Sequence, residues 1–259
     1  MASGKSSKNK RKPNIGAVNR RQPPWLMIGG IVLVVVLAAV FIGYPLIQRN
    51  EQRAFVPGDD NRDPSLTIPG VVTQQYAAGQ HILPNQQVAY TNNPPFGGTH
   101  DGYWAACGGV VYPTPVRSEN LVHSLEHGAV WIAYNPDQVT GAALETLSSK
   151  VDGQPYTVMS PYPGLDQPIA LQSWGHQLKL TSADDERIDQ FIRALRLNRF
   201  TYPEVGASCD ALGPGAFDQD NPPPFQPAPP QTAVNRQTVF GERDAGSQGA
   251  SPEGAVPGQ

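Results

Sequence analysis

Ser118-Glu119-Asn120-Leu121-Val122-His123-Ser124-Leu125-Glu126-His127-Gly128-Ala129-Val130-Trp131-Ile132-Ala133-Tyr134 changes its apolar period at one glycine. Up to His127 the spacing predicts a helix, Glu119 to His127, with Ser118 as N-cap and Leu121 and Leu125 one turn apart on the face turned to a core. Gly128 supplies the stop, because glycine tolerates the left-handed conformation that ends helices. From Ala129 to Tyr134 the residues suit a strand. A helix feeding directly into a strand sets the fold class as α+β, and the neighbouring segments extend it. Further strands are expected near Val71 to Tyr76, Gln87 to Tyr90, Tyr156 to Ser160 and Ile169 to Trp174. Two more helices are expected, one from Pro136 to Ser149 and one following Ser182, where Ile188, Phe191, Ile192 and Leu195 recur at helical spacing. The expected fold is one compact domain of short strands and about three helices.

The predicted helix also carries chemistry. Residues advance about 100° each, so His127 stands roughly 40° round from His123 and Glu126 roughly 60° to the other side. The three share a face opposite the leucines. Two imidazoles one turn apart make a bidentate seat for Zn²⁺ or Cu²⁺, since neutral imidazole nitrogen suits both and the helix fixes the separation. His81 and His100 lie in glycine-containing turn segments, Gly79-Gln80-His81 and Gly97-Gly98-Thr99-His100, that can bring further ligands inward. Met159, in the strand Tyr156 to Ser160, is a fifth candidate ligand, with core packing as its competing role. Copper is the first expectation, from the affinity order and the thioether, and zinc the second. Glu126 is expected behind the ligands as a supporting carboxylate. His176 reads as a half-buried structural histidine, and Trp104 and Trp131 as core aromatics.

Outward from this core the composition changes. Residues 1–24 carry Lys5, Lys8, Lys10, Arg11, Lys12, Arg20 and Arg21 and no acid, a basic arm expected in the cytoplasm. Leu26 to Ile47 is free of charge, and as a helix it would rise about 33 Å, enough for a ~30 Å hydrocarbon core. A transmembrane helix over 25–47 is therefore expected, retained as an anchor because a cleaved signal's apolar region is shorter. Its orientation would place everything that follows outside the cytoplasm, making the domain extracytoplasmic and the chain a single-pass protein of the cell membrane. Residues 48–69 read as a turn-rich stalk, 70–209 as the globular domain, and 210–259, rich in Pro, Gly and Gln, as a disordered tail. Seven of the 19 basic residues lie in the arm, leaving 12 against all 22 acidic ones; this excludes nucleic acid as the expected partner of the remainder. The two cysteines, Cys107 and Cys209, both follow the apolar run, and in an oxidising compartment a disulfide is the default, two separate thiols the alternative.

Pro94-Pro95-Phe96-Gly97-Gly98-Thr99-His100, Trp104 with Cys107-Gly108, Val122-His123-Ser124-Leu125-Glu126-His127-Gly128 and Ser160-Pro161-Tyr162 resemble the signature of the bacterial family catalogued as domain of unknown function 3105. The resemblance implies a small extracytoplasmic domain, often membrane-anchored, with no established activity. Gly97 stands where serine would be expected, and Cys107 to Tyr112 is lengthened. Three functions compete on the residues alone: a non-catalytic domain binding copper or zinc; an interaction module of the envelope with a protein partner; and a zinc hydrolase using His123-x-x-Glu126-His127, in which the glutamate would activate water.

Overall fold

A computed structural model describes residues 24–43, 53–230 and 238–240, and the chain divides into two compact units, Met1–Arg49 and Asn50–Gln259. In the first unit, helix α1 (Trp25–Ala38) continues into a π-helical turn, Ala39–Gly43. Its described side chains are exposed all round, Trp25 and Phe41 by more than 70 %. The expected membrane span over 25–47 is not met in this form: no helix among the described residues is long and apolar enough to cross a membrane. The 14 residues of α1 rise only about 21 Å, and residues 44–52 lie outside the described ones.

The second unit is α+β, as its changing apolar period requires. Strands β1 (Val72–Thr73), β5 (Gly108–Val111), β6 (Val130–Tyr134), β7 (Thr157–Pro161), β8 (Ile169–Ser173) and β9 (His176–Leu180) form a six-stranded mixed sheet in the order β1-β9-β8-β6-β7-β5. β5, β7 and β6 run parallel, whereas β6, β8, β9 and β1 pair antiparallel. Two small parallel ladders flank it, β2 (His81–Ile82) with β4 (His100–Asp101), and β3 (Gln87–Ala89) with β10 (Thr238–Phe240).

Both faces of the sheet are covered, and alternation along the strands decides which side chain goes where. On one face Trp131, Ala133, Val158 and Ala170 meet Leu121, Val122 and Leu125 of helix α2 (Ser118–Glu126). On the other, Val130, Ile132, Met159, Leu171 and Leu178 meet Leu147 of α3 (Gly141–Ser149) and Ile188, Phe191 and Leu195 of α4 (Arg187–Leu195). Each fully buried leucine here contributes about 1.5–3 kcal/mol relative to exposure.

Several boundaries move. Helix α3 starts at Gly141 rather than Pro136, because Asn135 turns the chain first: its Oδ1 accepts from Asp137 N–H at 2.9 Å and its carbonyl from Val139 N–H. The expected cap of α2 is absent as well, since Ser118 is the first helical residue and Arg117 the cap, with no side-chain cap bond. The stalk over 48–69 is packed where described: Ile68 belongs to the second apolar cluster, and Asp63 Oδ2 lies 3.0 Å from His176 Nε2. Nor does the domain end at 209. Phe217 is fully buried against Tyr112, Phe225 packs on Tyr162, and Pro224 bridges to Val116, so residues 210–230 are folded, two aromatic rings being enough to dock a proline-rich segment. The rest of the expected tail, apart from the backbone of β10, lies outside the described residues. His176 is buried, its Nδ1 donating to the Trp174 carbonyl, as a structural histidine should be.

Candidate metal centre

Four separate segments supply the site, and backbone pairing sets their register. β2 and β4 align His81 directly with His100, putting both side chains on one face of that ladder. The loop after β4 is clipped to α2: Ala105 N–H donates to the Asn120 carbonyl, Asn120 Nδ2 to the Tyr103 carbonyl and Ser124 Oγ to the Ala105 carbonyl. His123, Glu126 and His127 then face this loop from the last turn of α2, which Gly128 terminates at φ 91° with its N–H donating to Leu125.

The imidazoles are held in a common way. His100 Nδ1 lies 2.7 Å from the Gly98 carbonyl, His123 Nδ1 2.7 Å from the Asp101 carbonyl, and His127 Nδ1 2.6 Å from the Ser208 carbonyl. A carbonyl only accepts, so each Nδ1 carries a proton, and in the neutral ring Nε2 is then the free acceptor. This is the arrangement by which a metal-binding imidazole is fixed in tautomer and orientation. Within 4.8 Å of one another lie ligand atoms of His81, His100, His123 and Glu126, and, separately, of His123, His127 and Glu204.

His100 Nε2 and Glu126 Oε2, both wholly buried, approach to 2.8 Å, yet their alignment is not that of a hydrogen bond and neither atom has a hydrogen-bond partner. Such a pair is stable when a proton or a metal ion lies between the two atoms. The other oxygen, Oε1, accepts from Gly79 N–H at 2.7 Å.

Electrostatics keep the donors in ligand form. Burial first, and then the neighbouring His100, pushes His123 down to about 3, so it is neutral at ordinary pH. Burial, then His100, lowers His81, and burial lowers His127 against the opposing pull of the Ser208 carbonyl and Glu204. Burial alone would raise Glu126, but the imidazole of His100, the Gly79 N–H and His123 together hold it below the usual carboxylate range. Behind the site, Arg117 pairs with the buried Asp101 carboxylate and bonds the Gln86 carbonyl, locking the loop whose backbone holds His123.

The structure thus brings together His81, His100, His123 and His127 and promotes Glu126 from a supporting position into the ligand group itself. Met159 is corrected out of the site. It is fully buried in the apolar cluster on the sheet's opposite face, the alternation that exposes Val158 to α2 turning Met159 away. Trp104 is corrected too, being only partly buried, with its ring 4.7 Å from His127 and 5.6 Å from His123. Glu204 was not foreseen; it sits in Thr201-Tyr202-Pro203-Glu204, which has no periodic pattern. Cys107 and Cys209 form a disulfide, and the Cys107 N–H donates to the Cys209 carbonyl, which brings Ser208 to His127.

The family model described as "Protein of unknown function (DUF3105)" matches residues 81–211, just over half of the chain. The chain belongs to the DUF3105 family. Its matched segment runs from His81 past Cys209 and so contains every residue of the two ligand groups and both cysteines. No curated protein and no solved structure matches the chain. Two glycine-bearing details of the matched segment have a local reason. A Cβ at Gly97 would stand 2.3 Å from the Tyr76 ring, and the lengthened stretch after Cys107 accommodates a β-bulge at Gly109, φ 88°.

Proposed function

We propose that this DUF3105 domain binds one divalent transition-metal ion through His81, His100, His123 and Glu126. The observation that carries the reading is the convergence of ligand atoms from His81, His100, His123 and Glu126, brought from separate segments to within 4.8 Å of one another. Three imidazoles and a carboxylate form a borderline donor set suited to Zn²⁺ and Cu²⁺. With Met159 out of reach, the thioether argument for Cu(I) no longer supports copper over zinc. The role is binding rather than hydrolysis. Glu126 is wholly enclosed, one oxygen on Gly79 and the other on His100, which suits a ligand and not a base facing a substrate.

We further propose that the domain works outside the cytoplasm, tethered at its N-terminus. Supporting this are the seven cations ahead of the apolar run, the all-round apolar and exposed surface of α1, which suits lipid better than water, and the buried disulfide. A protein partner at the envelope remains the competing role. The test is elemental analysis of the full chain purified in detergent without a histidine tag, after exposure to micromolar Zn²⁺ or Cu²⁺. One ion per chain is expected, with affinity reduced by about tenfold or more in Glu126→Gln. A folded chain that takes up neither metal overturns the reading in favour of a structural histidine cluster.

A further inference from the structure

The histidine helix carries one ligand more than the buried set uses. His127 is itself buried, its Nδ1 donates to the Ser208 carbonyl, and its Nε2 lies 3.1 Å from Glu204 Oε2. The Glu204 side chain is 39 % exposed and that of His81 43 %, so each group has one solvent-facing ligand. Its position is set by the helix: Glu204 N–H donates to the Glu126 carbonyl at 3.2 Å. Trp104 packs against His127 and His123 alike.

His123 belongs to both ligand groups. With Nδ1 committed to the Asp101 carbonyl it has a single lone pair, on Nε2, and one lone pair binds one ion. We propose that His123, His127 and Glu204 form a second, alternative seat for the same divalent ion, mutually exclusive with the first. This rests on the metal reading above. Three protein ligands leave a fourth tetrahedral position for water, as in exchangeable zinc sites, whereas the buried set supplies four. An ion passes between the seats by ligand exchange alone, His127 and Glu204 trading places with His100, Glu126 and His81 while His123 keeps its hold.

Zinc titration of the full chain in detergent tests the second seat. The wild type is expected to bind one Zn²⁺. His100→Ala should still bind one, roughly tenfold or more weakly, and lose it when His127→Ala and Glu204→Ala are added; Glu126→Ala serves as the parallel variant should His100→Ala not fold. If both buried-seat variants show wild-type circular dichroism but bind no zinc, the second seat is overturned and the buried site stands. Two ions on the wild type would overturn mutual exclusion, and none would overturn both readings.

Discussion

At the residue scale, the end of helix α2 is a tight point next to the site. Gly128 holds φ 91°, and a Cβ added there would meet the Tyr202 ring at 2.7 Å. A left-handed residue costs a non-glycine side chain about 1 kcal/mol or more even without a clash. Gly128→Ala is therefore expected to destabilise the domain by about 1–3 kcal/mol, read as a lower midpoint in urea. It should also weaken metal binding, since Tyr202 and Glu204 share a loop and His127 adjoins the glycine. A midpoint equal to wild type would show that the loop yields freely. Asp63 offers a second test. Burial tends to raise its carboxyl, but the hydrogen bond and charge of His176, with Ser65, bring it below its ordinary value. A carboxyl depressed on folding stabilises above its unfolded value, and that contribution is lost as pH falls through the folded one. Asp63→Asn should thus melt at a lower temperature than wild type near neutrality, with the difference closing in acid. A gap that stays constant down to pH 2 would contradict the pairing.

Among the elements, the disulfide is what joins the histidine helix to the loop carrying Glu204. It closes 102 residues of sequence, for which the chain-entropy model gives about 4.7 kcal/mol. The Cys107→Ser, Cys209→Ser double variant should lose about 2–5 kcal/mol of stability in chemical denaturation. Where it still folds, a larger fractional loss is expected at the outer ligands His127 and Glu204 than at His100, because Ser208 and Cys209 are tied directly to the bridge. Equal stability of the double variant would mean that the 201–210 segment is held by packing alone. The elements also show where pattern was readable. Strands β6, β7 and β8 were legible because fully buried strands have apolar runs with turn residues on either side. β2 and β4 were not, being two residues long and defined only by pairing with each other.

For the whole molecule, the open question is where the domain resides. The exposed apolar surface of α1 and the basic arm argue that the intact chain fractionates with membranes and resists extraction by carbonate, whereas a chain starting at residue 53 should be soluble and retain the disulfide. Full-length protein recovered in the soluble fraction would contradict the tether. The folded unit is also larger than its composition suggests. Proline-rich residues 210–230 look incapable of packing in sequence, yet Phe217 and Phe225 dock them on the aromatic rings of Tyr112 and Tyr162.

By itself the sequence determined the α+β class, the histidine helix with its glycine stop, and a polar face carrying His123, Glu126 and His127, because these follow from periodicity within about ten residues. It also nominated His81 and His100. Only the tertiary structure decided that Glu126 converges with His81, His100 and His123 rather than standing behind them, that Met159 faces away, and that Glu204 lies beside His123 and His127. Those outcomes depend on which side of a sheet a strand presents and on a cross-link between residues far apart in the chain. Neither is encoded in local spacing; both arise when pairing register and burial fix distant side chains against one another.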